Sequence, residues 1–248
     1  MSRGKIEYVL FDMDDKVLAE YGKEMTWDIK AGLMGKPERD AALHLLSFFP
    51  DLPSHFTIEH YLSSRRTLQD TLWPTVRPLP GTSRLIHHLH KHKIPIAVAT
   101  SSQRRNFLMK SAHLGEELFG KFEGRVMCAD DGWLGEGRGK PEPDIFLHAA
   151  RVLLGRDVGG ENGNGKEGEV SDGQREERAK GLVFEDAIPG VQAGKRAGMK
   201  VVWVPDSNLL ELGIGNDNDN PLDKPDLQIN SVEEFVPEEW GLPPYDAE

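Results

Sequence analysis

Four short apolar runs punctuate the chain: Tyr8-Val9-Leu10-Phe11, Ile96-Ala97-Val98-Ala99, Gly181-Leu182-Val183-Phe184 and Val201-Val202-Trp203-Val204. None alternates with polar residues, which suits strands buried on both faces of a parallel sheet. Amphipathic stretches at 84–91, 145–154 and 191–197 lie between them and predict helices. Strand, helix and strand in series imply right-handed crossovers and an α/β fold with a doubly wound parallel sheet. A further short strand is expected at 226–229.

Two regions break this alternation. Residues 15–78 carry helical patterns, notably at 40–48 and 58–70, and no convincing strand, until Pro78, Pro80 and Gly81 punctuate the chain. This predicts a small helical cap over 15–78, inserted into a core formed by 1–14 and 79–248. The second break, 155–180, is rich in Gly, Glu, Asn and Lys with almost nothing apolar. Such a segment buries too little surface to offset its ordering entropy, so a disordered polar loop is predicted. A polar surface helix around 174–179 is the alternative.

Composition narrows the function classes. A chain of 248 residues can bury a sizeable core without disulfides or a structural metal. The net charge of −11 argues against nucleic-acid partners, whose phosphates it would repel. Cys128 is the only cysteine, so no intrachain disulfide forms and a reducing compartment is expected. No stretch approaches the roughly 20 apolar residues of a membrane span, and no charged-then-apolar leader pattern opens the chain. A soluble monomer of the cytoplasm or nucleus, with no membrane or nucleic-acid partner, is the expectation.

The predicted strands end in polar residues, and open α/β sheets bind ligands at that edge. The first runs into Asp12-Met13-Asp14, two acids on one side of the strand tip; a pair of solvated turn acids would look the same. The second ends in Thr100-Ser101-Ser102, which could cradle a phosphate or simply cap a helix. Lys140, between Gly139 and Pro141, is presented on a stiff loop. The strand at 181–184 is followed by Glu185 and Asp186, acids suited to a hard cation or to a charged surface.

Taken in order, Asp12-Met13-Asp14, Thr100, Gly139-Lys140-Pro141-Glu142-Pro143-Asp144 and Glu185-Asp186 resemble the four motifs of the haloacid dehalogenase-like hydrolases. Thr26-Trp27-Asp28-Ile29-Lys30, Met34-Gly35-Lys36, His92-Lys93-Ile94-Pro95-Ile96 and Pro237-Glu238-Glu239-Trp240-Gly241 resemble a subgroup that holds pseudouridine-5′-phosphatases and glycerol-3-phosphatases. The resemblance implies a Mg²⁺-dependent phosphatase of a small phosphorylated metabolite, a nucleoside or polyol monophosphate. Asp12 would be the nucleophile, Asp14 the general acid–base, and Lys140 the group that balances the crowded acids. Thr100, Ser101 and Lys140 would bind the phosphoryl group. Asp12, the backbone carbonyl of Asp14 and Asp186 would hold Mg²⁺, with Glu185 nearby.

One segment departs from the family. There, Asp-x-Asp leads through Gly and apolar residues into an Asp-Ser/Thr-Glu-type stretch; here Asp14 runs straight into Asp15-Lys16-Val17-Leu18. A catalytically weak relative with a binding or regulatory role is therefore a second reading, and a phosphosugar mutase a third. Lys36 and Arg39 fit either a substrate-facing cap loop or a solvated helix end. His87, His88, His90 and His92 are predicted to spread around a helix as surface residues rather than to form a metal site. Cys128 is expected to be a small buried residue, and Trp27 and Trp240 packing anchors.

Overall fold

The computed structural model describes residues 26, 29, 32–33, 38–159, 161–162, 166–167, 170–211 and 224–246. The expected first strand, with Asp12, Asp14, Trp27 and Lys36, lies outside them. Two compact units are present, Met1–Arg77 with Leu108–His113 and Pro78–Phe107 with Leu114–Glu248. Residues 108–113, which the sequence pattern left with the core, cluster with the first unit.

The first unit is built on α1 (Glu38–Ser47) and α2 (Ile58–Leu72). Acids in the first turn of α1, Glu38 and Asp40, suit the positive end of its dipole. Thr57 caps α2, its hydroxyl accepting from the His60 N–H at 3.1 Å. Ala42 and Leu45 of α1 meet Phe56 and Tyr61 in an apolar cluster. Arg39 pairs with Glu59 at 3.1 Å, both well exposed, so this contact contributes little to stability.

The second unit runs α3 (Thr82–Lys91), β1 (Val98–Thr100), α4 (Arg104–Ser111, whose last turn joins the first unit), α5 (Gly115–Leu118) and β2 (Val126–Cys128). It continues through α6 (Asp144–His148, prolonged by a π-helical turn at Ala149–Leu153), β3 (Glu161–Asn162) and β4 (Lys166–Glu167). α7 (Asp172–Ala179), β5 (Leu182–Glu185), α8 (Ile188–Arg196), β6 (Lys200–Trp203), α9 (Ser207–Glu211) and β7 (Leu227–Gln228) complete it.

β1 pairs parallel with β2, and β5, β6 and β7 form a second parallel group. Val183, Val201 and Trp203 face one apolar cluster with Ile145, Phe146 and Val191. Leu182, Phe184, Val202 and Val204 face another with Leu85, Leu89 and Phe235. Alternate side chains thus enter opposite cores, which is why the runs are apolar throughout and why the fold is α/β and doubly wound. Trp240 packs in the second cluster, its ring 6.0 Å from that of Phe235. No helix among the described residues is long and apolar enough to cross a membrane.

Two expectations are corrected. The polar segment 155–180 is not disordered throughout: α7 occupies Asp172–Ala179, opened by a capping box in which Ser171 and Gln174 satisfy each other's backbone N–H groups. Val158 enters the first core, and Arg178 Nε donates to the Val158 carbonyl at 2.6 Å. One buried valine and one buried guanidinium anchor what composition alone reads as solvated chain. The histidines are not all at the surface either. His88 is only 6% exposed, because the C-terminal segment covers it: its Nε2 lies 2.9 Å from the Pro243 carbonyl oxygen and its ring 4.7 Å from that of Tyr245.

Candidate active site

Thr100 ends β1, and its hydroxyl accepts the Ser102 N–H at 3.1 Å. The Ser102 carbonyl accepts the Ala129 N–H at 3.1 Å, tying this turn to the one that follows β2. Arg104 reinforces the tie. Its backbone N–H donates to Asp130 at 2.6 Å, Nε to Asp131 at 3.0 Å, and the guanidinium also reaches the Val126 carbonyl at 2.9 Å. Burial pushes the Asp131 carboxyl up, but Arg104 and the Cys128 N–H outweigh it and hold the group below the usual carboxylate range. Ser101, between these anchors, is exposed.

Lys140 is presented by a clamped loop. Arg138 donates to Asp144 at 2.8 Å and to Glu142 at 3.1 Å, and Arg196 donates to the Pro141 carbonyl at 3.2 Å. The Lys140–Pro141 peptide is cis. Lys140 Nζ donates to Glu185 Oε1, lies 3.4 Å from the Ala99 carbonyl oxygen, and sits 4.8 Å over the Phe146 ring. Both partners are almost fully buried, with side-chain exposures of 11% and 7%. The ammonium therefore bridges the ends of β1 and β5, which share no hydrogen-bonded pairing among the described residues.

Glu185 closes the strand end. Burial raises its carboxyl above the usual range and Asp186 adds to that, while Lys140 and the Ala187 N–H oppose it. Gly190, in the first turn of α8, leaves the room this carboxylate needs: a Cβ there would lie 2.0 Å from the carboxyl carbon. Gly190→Ala should therefore displace Glu185 and cost about 1–3 kcal/mol, several degrees in Tm, along with a loss of catalytic activity. Thermal denaturation and an activity assay check this, and an unchanged melting curve would mean the carboxylate has room to swing clear.

Asp186 is exposed, and its carbonyl accepts the Trp203 indole N–H at 2.9 Å. This indole contact fixes the backbone that carries the carboxylate. An exposed carboxylate beside an acid already paired with lysine is a hard oxygen donor set, which fits Mg²⁺. Glu185, engaged by Lys140, fits a supporting place better than direct ligation. The structure thus gathers the Ala99–Thr100 strand end, Lys140 and Glu185-Asp186, while Asp12 and Asp14 lie outside the described residues. Cys128 is buried, and burial pushes its thiol up to about 11, the state of an inert thiol rather than a nucleophile.

The sequence pattern missed Arg104, Asp130 and Asp131. An acid pair before Gly132 was the available signal, but the three-residue strand β2 that places it was not read.

Residues 13–198 match the family model of the haloacid dehalogenase-like hydrolases. The chain is 36% identical to (DL)-glycerol-3-phosphatase 2 of Arabidopsis thaliana, over 98% of this chain and 95% of the relative. It is 31% identical to a protein of Drosophila melanogaster named a probable pseudouridine-5′-phosphatase, over 97% and 96%. The pairing with the Arabidopsis relative spans 258 positions, more than this chain has residues, so part of that relative has no counterpart here. Among solved structures, a hydrolase of the same family from Deinococcus radiodurans superimposes with a TM-score of 0.63 at 20% identity, over 95% of this chain and 91% of the other.

Proposed function

The chain belongs to the haloacid dehalogenase-like hydrolases, and from that premise we propose a Mg²⁺-dependent phosphatase of a nucleoside or polyol monophosphate that works through an aspartyl-phosphate. The observation that carries this reading is the buried Lys140–Glu185 pair at the C-terminal ends of the parallel strands. A cation held there, 3.4 Å from the carbonyl oxygen of Ala99 that precedes Thr100, suits the charge that develops on a transferring phosphoryl group. The relatives named for glycerol-3-phosphate and pseudouridine phosphate support a small monoester as substrate.

Asp12 attacks phosphorus, so the Asp–O–P bond forms as the ester P–O bond breaks. Asp14 gives its proton to the leaving alcohol, then takes one from the water that releases phosphate and frees Asp12. Thr100 and the backbone at Ser101 hold the phosphoryl oxygens, and Lys140 balances their charge. Asp12, the Asp14 carbonyl and Asp186 would hold Mg²⁺, with Glu185 in support. Bound there, the ion supplies charge neutralisation for the acids and the phosphate.

The test is a hydrolysis screen on glycerol phosphates and nucleoside monophosphates, with Mg²⁺ and with excess chelator. Activity should vanish with chelator and in Asp12→Asn, whose amide is nearly isosteric and should leave the melting curve intact. Hydrolysis by the Asn variant at the parent rate would overturn the mechanism.

A further inference from the structure

Far along the chain from the catalytic motifs, three potential ligands meet where the C-terminal tail crosses α3. His88 lies in the last turn of α3 and His92 follows directly as its C-cap. Asp246 comes from the tail. One ligand atom from each lies within 4.8 Å of the others. We propose that His88, His92 and Asp246 form a site for a divalent transition ion of the Zn²⁺ class, which clasps the tail to the helix.

Histidines four residues apart on one helix face can chelate a single ion, as in helical i, i+4 zinc pairs. His88 is buried and its Nε2 lies 2.9 Å from the Pro243 carbonyl oxygen. A carbonyl only accepts, so Nε2 carries the proton and Nδ1 is the ring nitrogen left to hold an ion. That is the outer hydrogen bond that metal-bound imidazoles characteristically make. The His92 Nε2 atom is buried and has no hydrogen-bond partner among the described residues; the polar atom placed near it is Asp246 Oδ1, at 3.9 Å. Lys91 Nζ donates to the other oxygen, Oδ2, at 2.6 Å, which fixes the carboxylate with Oδ1 toward His92.

Donor atoms around a tetrahedral ion with bonds of about 2.0–2.2 Å stand roughly 3.3–3.6 Å apart. The 3.9 Å separation of His92 and Asp246 is within a small side-chain rotation of that. Two imidazoles and a carboxylate favour Zn²⁺ or its neighbours over Mg²⁺ or Ca²⁺, which prefer all-oxygen sets. The Arg84 guanidinium, 4.0 Å over Tyr245, and Lys91 add positive charge nearby, which opposes any dication and leaves the two imidazoles to supply the affinity. Water would complete the coordination.

The full chain, with no affinity tag and saturated with Mg²⁺ so that the acidic site is occupied, is titrated with Zn²⁺ by calorimetry and by thermal denaturation. One Zn²⁺ should bind and raise Tm by at least about 2 °C. His92→Asn and Asp246→Asn should each abolish that rise, whereas Asp12→Asn should keep it, separating this site from the catalytic one. Asp246 is on the exposed tail, so its variant reports even if His92→Asn folds poorly. Equal Zn²⁺ uptake by the parent and Asp246→Asn, or no uptake by the parent, overturns the proposal.

Discussion

Replacing Lys140 with methionine is expected to slow phosphate-ester hydrolysis by about 10²–10³-fold and to destabilise the protein. The first effect follows from losing a positioned cation in a water-poor site, where fixed charge stabilises a transition state far better than solvent does. The second follows from the pairing itself. Glu185 is almost fully buried, burial already raises its carboxyl, and Lys140 is the cation that compensates it. Removing one member of such a buried pair costs about 3–5 kcal/mol, roughly 6–20 °C in Tm for a chain of this size. The double variant Lys140→Met with Glu185→Gln separates the two effects. Removing the stranded charge should recover much of the stability and none of the activity. Steady-state kinetics and thermal denaturation of both variants measure this. If Lys140→Met hydrolyses at the parent rate, the lysine is a structural counter-ion only and its assignment to catalysis fails.

Much of that region was legible in the sequence. The continuous apolar runs located β1, β5 and β6 because strands buried on both faces cannot alternate, and the polar residues after them marked the functional edge. Pro141 and Gly139 signalled that Lys140 is held rather than free. The pairing itself was invisible, since Glu185 lies 45 residues further on and no local pattern records which acid the lysine meets. β2 was missed because three residues between Arg125 and Ala129 are too few to show a period, and with it went the Arg104–Asp131 tie behind the Thr100 turn. α7 was read only as the alternative to a disordered loop, for a different reason. Composition averaged over 155–180 hides the Ser171-to-Gln174 capping box, a local signal that needs only four residues. The burial of His88 was invisible for the same reason as the Lys140 pairing, since the segment that covers it comes 155 residues later.

A version of the chain carrying a family-type segment after Asp14 is expected to turn over phosphate monoesters about 10²–10⁴-fold faster than the chain as it stands. That range is the usual value of positioned general acid–base catalysis, the role assigned to Asp14. In the family, Gly and apolar residues follow the second aspartate and let the backbone turn away while the carboxyl faces the leaving group. Here Asp15-Lys16-Val17-Leu18 follows at once. A non-glycine residue restricts that turn, and an aspartate before a helical pattern is a strong N-cap whose carboxylate is drawn to backbone N–H groups instead. The change leaves Thr100, Lys140, Glu185 and Asp186 untouched, so phosphate and Mg²⁺ affinity should change far less than turnover. The comparison assays both versions on one panel of polyol, sugar and nucleoside phosphates at saturating Mg²⁺, separating kcat from KM. A gain confined to kcat supports the assignment, because a group that acts only on proton transfer leaves ground-state binding alone. Equal kcat in the two versions would show that Asp14 reaches the leaving group without the segment, and would also retire the reading of this chain as a weakened relative.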